Sequence, residues 1–99
     1  MGQRNRRKGN TMGTPTPVIL SVKTPTYSEV VIEASDGKRY FADLAPFKQV
    51  YCFPKTLEAW QQVAVDSQGL GLVWTSRFEV HVDQILGLAS REEPAARAS

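Results

Sequence analysis

Apolar and polar residues alternate over several short segments of the chain, a pattern typical of half-buried β-strands. Residues 18–22, 27–34 and 38–44 are the first three predicted strands. Asp36-Gly37 separates the second strand from the third, and an Asp-Gly pair between two apolar runs indicates a β-hairpin. Phe41 lies on the mixed, more polar face of the third strand, which predicts that this face is partly covered as well.

The middle of the chain contains a predicted short helix. Pro54 suits its first turn, because proline at that position loses no helical hydrogen bond. Leu57 and Trp60 are three residues apart, so both are expected to face the sheet. The helix is predicted to end near Gln62.

A second hairpin is predicted from residue 63 onwards. Residues 63–65 and 70–74 alternate as strands on either side of a turn at 66–69. A short extended segment at 78–80 and a closing helical turn at 82–89, with Ile85 and Leu86 inward, follow.

Together these elements predict one α+β domain over residues 15–90, with two antiparallel hairpins and one or two short helices. Residues 1–14 are expected to form a disordered basic tail, and residues 91–99 a second disordered tail. Met12 is an alternative start of the protein, in which case residues 1–11 are not native.

Basic and acidic residues are distributed unevenly. The formal net charge is +2, but eight acidic residues outnumber six basic ones between residues 12 and 90. This slightly acidic part of the chain is poorly suited to binding nucleic acid, because nucleic-acid-binding domains normally cluster basic residues on one face. The positive excess lies in the first tail, at Arg4, Arg6, Arg7 and Lys8. This tail is either a solvated terminus or an arm that contacts nucleic-acid phosphate.

Composition restricts the class of protein further. Apolar residues make up 41% and charged residues 22%, as in ordinary globular domains. One cysteine cannot form an internal disulfide, and neither a membrane-spanning stretch nor a signal peptide is apparent. The expectation is a cytoplasmic protein without a membrane partner.

Residues with reactive side chains do not form a recognisable catalytic motif. His81 is the only histidine, and Glu79 and Asp83 would lie on the same face as His81 in an extended segment. This group is interpreted as a solvated polar face rather than as a metal or acid–base site. Cys52 lies between two aromatic residues, so it is interpreted as a small buried apolar residue rather than as a nucleophile. We therefore expect no enzyme, no cofactor and no metal.

A set of short motifs in fixed order resembles a known bacterial family. These motifs are Asp36-Gly37-Lys38, Asp43-Leu44, Pro46, Phe53, Leu57, Trp60, Val65-Asp66, the run GLGLVW ending at Trp74, Glu79-Val80 and the run DQIL ending at Leu86. Over about residues 18–89 the chain resembles the small family called domain of unknown function 2442. The resemblance implies an α+β fold, no catalytic residue and a small toxin–antitoxin-like protein partner.

Two functional hypotheses follow. The first is a non-catalytic interaction or regulatory module that binds a small protein or a second copy of itself, with exposed hairpin edges available for strand addition. Trp74 is either a core residue or a half-exposed partner anchor with Arg77 at its rim. The alternative is a nucleic-acid-binding accessory protein that uses the basic N-terminal arm.

Overall fold

This computed structural model describes residues 16–95. Within them the chain forms a four-stranded and a three-stranded antiparallel sheet, together with short helices. The elements in chain order are β1 (Ile19–Lys23), β2 (Glu29–Ala34), β3 (Lys38–Asp43), a 3₁₀ turn (Ala45–Phe47), α1 (Leu57–Trp60), β4 (Val63–Val65), β5 (Gly71–Trp74), β6 (Glu79–His81), α2 (Val82–Leu88) and β7 (Ala89–Pro94). The predicted α+β class is confirmed. Among residues 16–95, no helix has both the length and the hydropathy needed to cross a membrane.

The larger sheet has the strand order β1-β2-β3-β7. Its central hairpin turns at Gly37, whose φ of +82° lies in the left-handed region that glycine adopts without strain. Val31 on β2 stands opposite Phe41 on β3. The hairpin predicted from Asp36-Gly37 is therefore present.

Strand β7 corrects the predicted C-terminal boundary. The sequence predicts a disordered tail from residue 91, but Ala89–Pro94 pairs antiparallel with β3. Ion pairs accompany the pairing, with Lys38 Nζ 3.2 Å from the Glu92 carboxylate and Arg39 3.8 Å from Glu93. The domain thus continues beyond residue 90, while the predicted tail at 1–14 and residues 96–99 lie outside the described part.

The smaller sheet, β4-β5-β6, contains the second predicted hairpin. Its turn ends at Gly69, with φ +74°, and the Gly69 carbonyl accepts a 2.7 Å hydrogen bond from the Ile19 N–H. This bond ties the start of β1 to the second hairpin. Leu70 lies just before β5 and is 40% exposed, so the buried alternation begins only at Leu72.

Two stacked tryptophans occupy the centre of the core. The rings of Trp60 and Trp74 are 4.6 Å apart between centroids, and Phe53 and Phe78 pack beside them. The Trp60 indole N–H donates to the Glu29 carbonyl at 3.0 Å, and that of Trp74 to the Trp60 carbonyl at 2.7 Å. Because each N–H has a partner, both indoles are buried at little polar cost.

Helix α1 is shorter than predicted and exposes Leu57. Thr56 caps it, its Oγ1 accepting a 3.0 Å hydrogen bond from the Ala59 N–H, so Pro54 lies before the helix rather than in its first turn. With a single turn, only Trp60 reaches the core, and Leu57 is 48% exposed. In α2, by contrast, Ile85 is buried and packs in the core as predicted.

Candidate interaction surface

The outer face of the four-stranded sheet lies opposite the side that faces the core. Strand register places Lys23, Val31, Phe41 and Arg91 in one row across all four strands. Neighbouring residues Val30, Ile32 and Ala42 point to the opposite side and are buried. The alternation of β2 and β3 therefore leaves a half-buried valine and phenylalanine in the middle of an outward face.

Two shallow grooves run over this outer face. Their volumes are about 450 Å³ and 360 Å³, and Pro25, Val31 and Phe41 line both of them. All lining residues belong to this sheet or to the connection between β1 and β2. We call the three shared residues the apolar ridge.

One residue of β7 partly covers the ridge. The Arg91 guanidinium carbon lies 3.9 Å from the centroid of the Phe41 ring, a cation–π distance. The predicted partial cover of Phe41 is therefore present, and a strand that the sequence did not predict supplies it.

Charged residues surround the apolar ridge, and most of them already have partners. Arg39 lies 3.7 Å from Glu33 and 3.8 Å from Glu93, while Arg91 lies 3.3 Å from Glu93. At the other end of the face, the Thr26 hydroxyl donates to Glu29, and the Ser28 hydroxyl donates to Asp43, each at 2.7 Å. The carboxylates on this face are Glu29, Glu33, Asp43 and Glu93, and the cations are Lys23, Arg39 and Arg91. The face is thus mixed in charge with a slight acidic excess.

Neighbouring strands flank both strands of the first predicted hairpin, but in the second hairpin β4 lies at the edge of its sheet. In the first hairpin, β2 lies between β1 and β3, and β3 lies between β2 and β7; in the second, β5 lies between β4 and β6. The outer edge of β7 carries Pro94, which has no N–H to offer, and charged side chains that discourage pairing. On β6, the His81 N–H already donates to Gln84 Oε1 at 2.9 Å. Since β4 is an edge strand of the second hairpin, binding through a hairpin edge stays a prediction.

Trp74, predicted as a possible partner anchor, lies in the core. It is 4% exposed, and its indole N–H is bound to the Trp60 carbonyl. Its ring consequently offers no surface to a partner, and this part of the prediction is wrong. Arg77 is exposed in the following turn with φ +76°, and its contact with a partner stays a prediction.

The two reactive residues considered from sequence have structural roles. His81 caps α2, its Nδ1 accepting a 3.1 Å hydrogen bond from the Asp83 N–H. Cys52 is half-exposed and packs against the edge of the core, and its carbonyl accepts from the Ser76 hydroxyl at 2.7 Å. Within residues 16–95, no three His, Cys, Asp or Glu side chains are grouped as a metal site.

Acidic residues outnumber basic residues in the described part. Residues 16–95 carry seven lysines and arginines against ten aspartates and glutamates. The predicted phosphate contacts Arg4, Arg6, Arg7 and Lys8 all lie outside the described residues.

The apolar ridge was not identified from sequence, although Phe41 on a mixed face was a partial indication. Recognising it requires the register of β2 against β3 and the position of the β1–β2 connection. No family model matches the chain, and neither the curated proteins nor the solved structures include a match. The resemblance to the domain of unknown function 2442 family therefore stays a prediction.

Proposed function

We propose that the protein is a non-catalytic interaction module that binds a small protein through the outer face of its four-stranded sheet. The observation that carries this proposal is the apolar ridge, a set of apolar side chains shared by two grooves that no helix of residues 16–95 lines. Interfaces of this kind combine an apolar centre with a polar rim. Pro25, Val31 and Phe41 supply the centre, and the surrounding ion pairs supply the rim.

The charge of the face favours a protein over a nucleic acid. A phosphate backbone laid across it would meet four carboxylates, and Arg39 and Arg91, two of its three cations, are already paired with glutamates. Since phosphate contacts dominate nucleic-acid affinity, such a surface binds it poorly. A protein partner with its own mixed charges can match the rim and cover the ridge.

The test is capture of a partner from the native host with matched variants of the full chain. Phe41→Glu places a charge in the middle of the ridge, and Leu57→Glu makes the same change at another exposed apolar residue. We expect the unmodified chain and Leu57→Glu to retain the same partner, identified by mass spectrometry, and Phe41→Glu to lose it. Circular dichroism checks that both variants are folded.

Two results would contradict the proposal. One is equal retention of the partner by Phe41→Glu and the unmodified chain, since binding would then use another surface. The other is a chain that captures nothing and has the mass of a monomer by light scattering at all concentrations.

A further inference from the structure

Strand β7 is the only strand of the larger sheet with no buried side chain. Ala89 and Glu93 are half-buried, and its other four residues are exposed. Its ion pairs with β3, to Lys38 and Arg39, join side chains that are between 25% and 53% exposed. Exposed ion pairs of this kind contribute little to stability. The pairing of β7 with β3 therefore depends mainly on backbone hydrogen bonds.

Two grooves border β7, apart from those of the apolar ridge. One, of about 330 Å³, is lined by residues 89–92 of β7 together with Tyr40 on β3 and Leu86 on α2. The other, of about 420 Å³, is lined by the turn at 36–38 and by residues 92–94. Side chains thus do not fill the space beside β7, and its packing adds little to the backbone pairing.

The elements that adjoin β7 are held in place without it. Helix α2 ends at Leu88, directly before β7, but its buried residues Val82 and Ile85 anchor it in the core. Strand β3 pairs with β2 along its other side, and its Ala42 is buried. Opening of the chain at Ala89 can therefore release β7 alone, as a local unfolding step.

Release of β7 makes β3 an edge strand. An edge strand presents unpaired backbone N–H and C=O groups, which an added strand can pair with. The side chains of β7 show what suits this edge: its glutamates lie against Lys38 and Arg39, and the Arg91 guanidinium lies over the Phe41 ring. The edge therefore matches an extended segment in which a basic residue precedes two acidic residues.

We propose that the edge of β3 is a strand-addition site for an extended protein segment of this charge pattern, and that β7 occupies the site until such a segment displaces it. The incoming strand pairs along β3, places its carboxylates at Lys38 and Arg39 and stacks its cation on Phe41. The site is the edge of the sheet and not its outer face, so the inference goes beyond the proposed function and stands without it.

The probe is a synthetic peptide with the sequence of residues 89–95, ASREEPA, added with blocked termini to the full chain labelled with ¹⁵N. Peptide and tethered strand have the same intrinsic affinity, so half of β7 is displaced when the peptide reaches the effective concentration of the tethered strand, about the millimolar range. We expect the amide shifts of β7 to move towards those of a disordered chain while those of β3 stay dispersed. The charge-reversed peptide ASRKKPA should cause no such change.

Two double variants of the full chain with equal net charge sharpen the test. E92Q/E93Q removes the carboxylates of β7 that pair with β3, whereas E58Q/E79Q removes two exposed carboxylates on α1 and β6. Because two ion pairs no longer hold the tethered strand, the peptide concentration for half-displacement should fall about threefold or more in E92Q/E93Q. In E58Q/E79Q it should not change. Circular dichroism checks that both variants are folded.

Three results would overturn the proposal. One is the absence of any displacement of β7 in the unmodified chain and in E92Q/E93Q, since the strand is then a fixed part of the sheet. Another is an equal response to ASREEPA and ASRKKPA, which would show that the edge does not select the charge pattern. The third is displacement without peptide that grows with the concentration of the chain, which would assign the edge to a second copy.

Discussion

Replacing Trp74 by phenylalanine tests whether this residue is a core residue, as the structure has it, or a partner anchor. The change removes the indole N–H and leaves the buried Trp60 carbonyl without its 2.7 Å hydrogen bond. A buried acceptor that loses its partner costs about 1–3 kcal/mol. The smaller ring also leaves a cavity beside Trp60, which adds about 1 kcal/mol. We therefore expect the free energy of unfolding to fall by roughly 2–4 kcal/mol.

Urea unfolding followed by far-UV circular dichroism measures this loss. With m of about 2 kcal/mol/M for a small domain, the unfolding midpoint should fall by about 1–2 M. The control is Tyr51→Ala, since Tyr51 is 94% exposed and its loss should cost less than about 0.5 kcal/mol. An unchanged midpoint for Trp74→Phe together with loss of partner binding would refute the core assignment.

Three further predictions concern turns, pH and β7. Gly69→Ala should destabilise the fold more than Gly37→Ala. Both glycines have positive φ, but of the two only Gly69 would bring an added Cβ against backbone, 2.9 Å from the Ile19 carbonyl oxygen. The melting temperature of Gly69→Ala should therefore be the lower of the two. The hydrogen bond from the Tyr40 hydroxyl to Asp36 raises the pKa of Tyr40 to about 12. Unfolded tyrosine titrates near 10, so the stability from this bond is present below pH 10 and lost as the pH rises towards 12; ultraviolet titration should show one late tyrosine that is absent in Tyr40→Phe. Ending the chain at Ala89 removes most of β7 and should lower the unfolding free energy by several kcal/mol, whereas a disordered tail would leave it unchanged.

Local patterns predicted the strands that alternate. The segments around Val31 and Phe41 and the second hairpin formed as expected, because one face of each strand is apolar and the turns between them contain glycine. Ile85 was also placed correctly, since the spacing within α2 leaves it on the core side. These features depend on residues close together in the sequence.

Features that depend on distant residues were missed. Strand β7 is rich in charged residues and has no apolar alternation. It pairs with β3, where Lys38 and Arg39, about fifty residues earlier, form ion pairs with its glutamates. The core position of Trp74 was one of the two predicted alternatives, but the Trp60 carbonyl that accepts its N–H could not be identified from the sequence. The apolar ridge likewise requires the β1–β2 connection to bring Pro25 beside β2 and β3. None of these pairings leaves a periodic pattern in the sequence.

Hydroxyl-radical footprinting of the chain, alone and with its captured partner, tests binding through the apolar ridge most directly. Phe41 and Pro25 report on the ridge, and Tyr51, almost fully exposed in the loop before α1, is the internal reference. The account predicts that oxidation of Phe41 and Pro25 falls on complex formation while that of Tyr51 stays constant. Unchanged oxidation of Phe41 with protection of Tyr51 would place the partner elsewhere and contradict it.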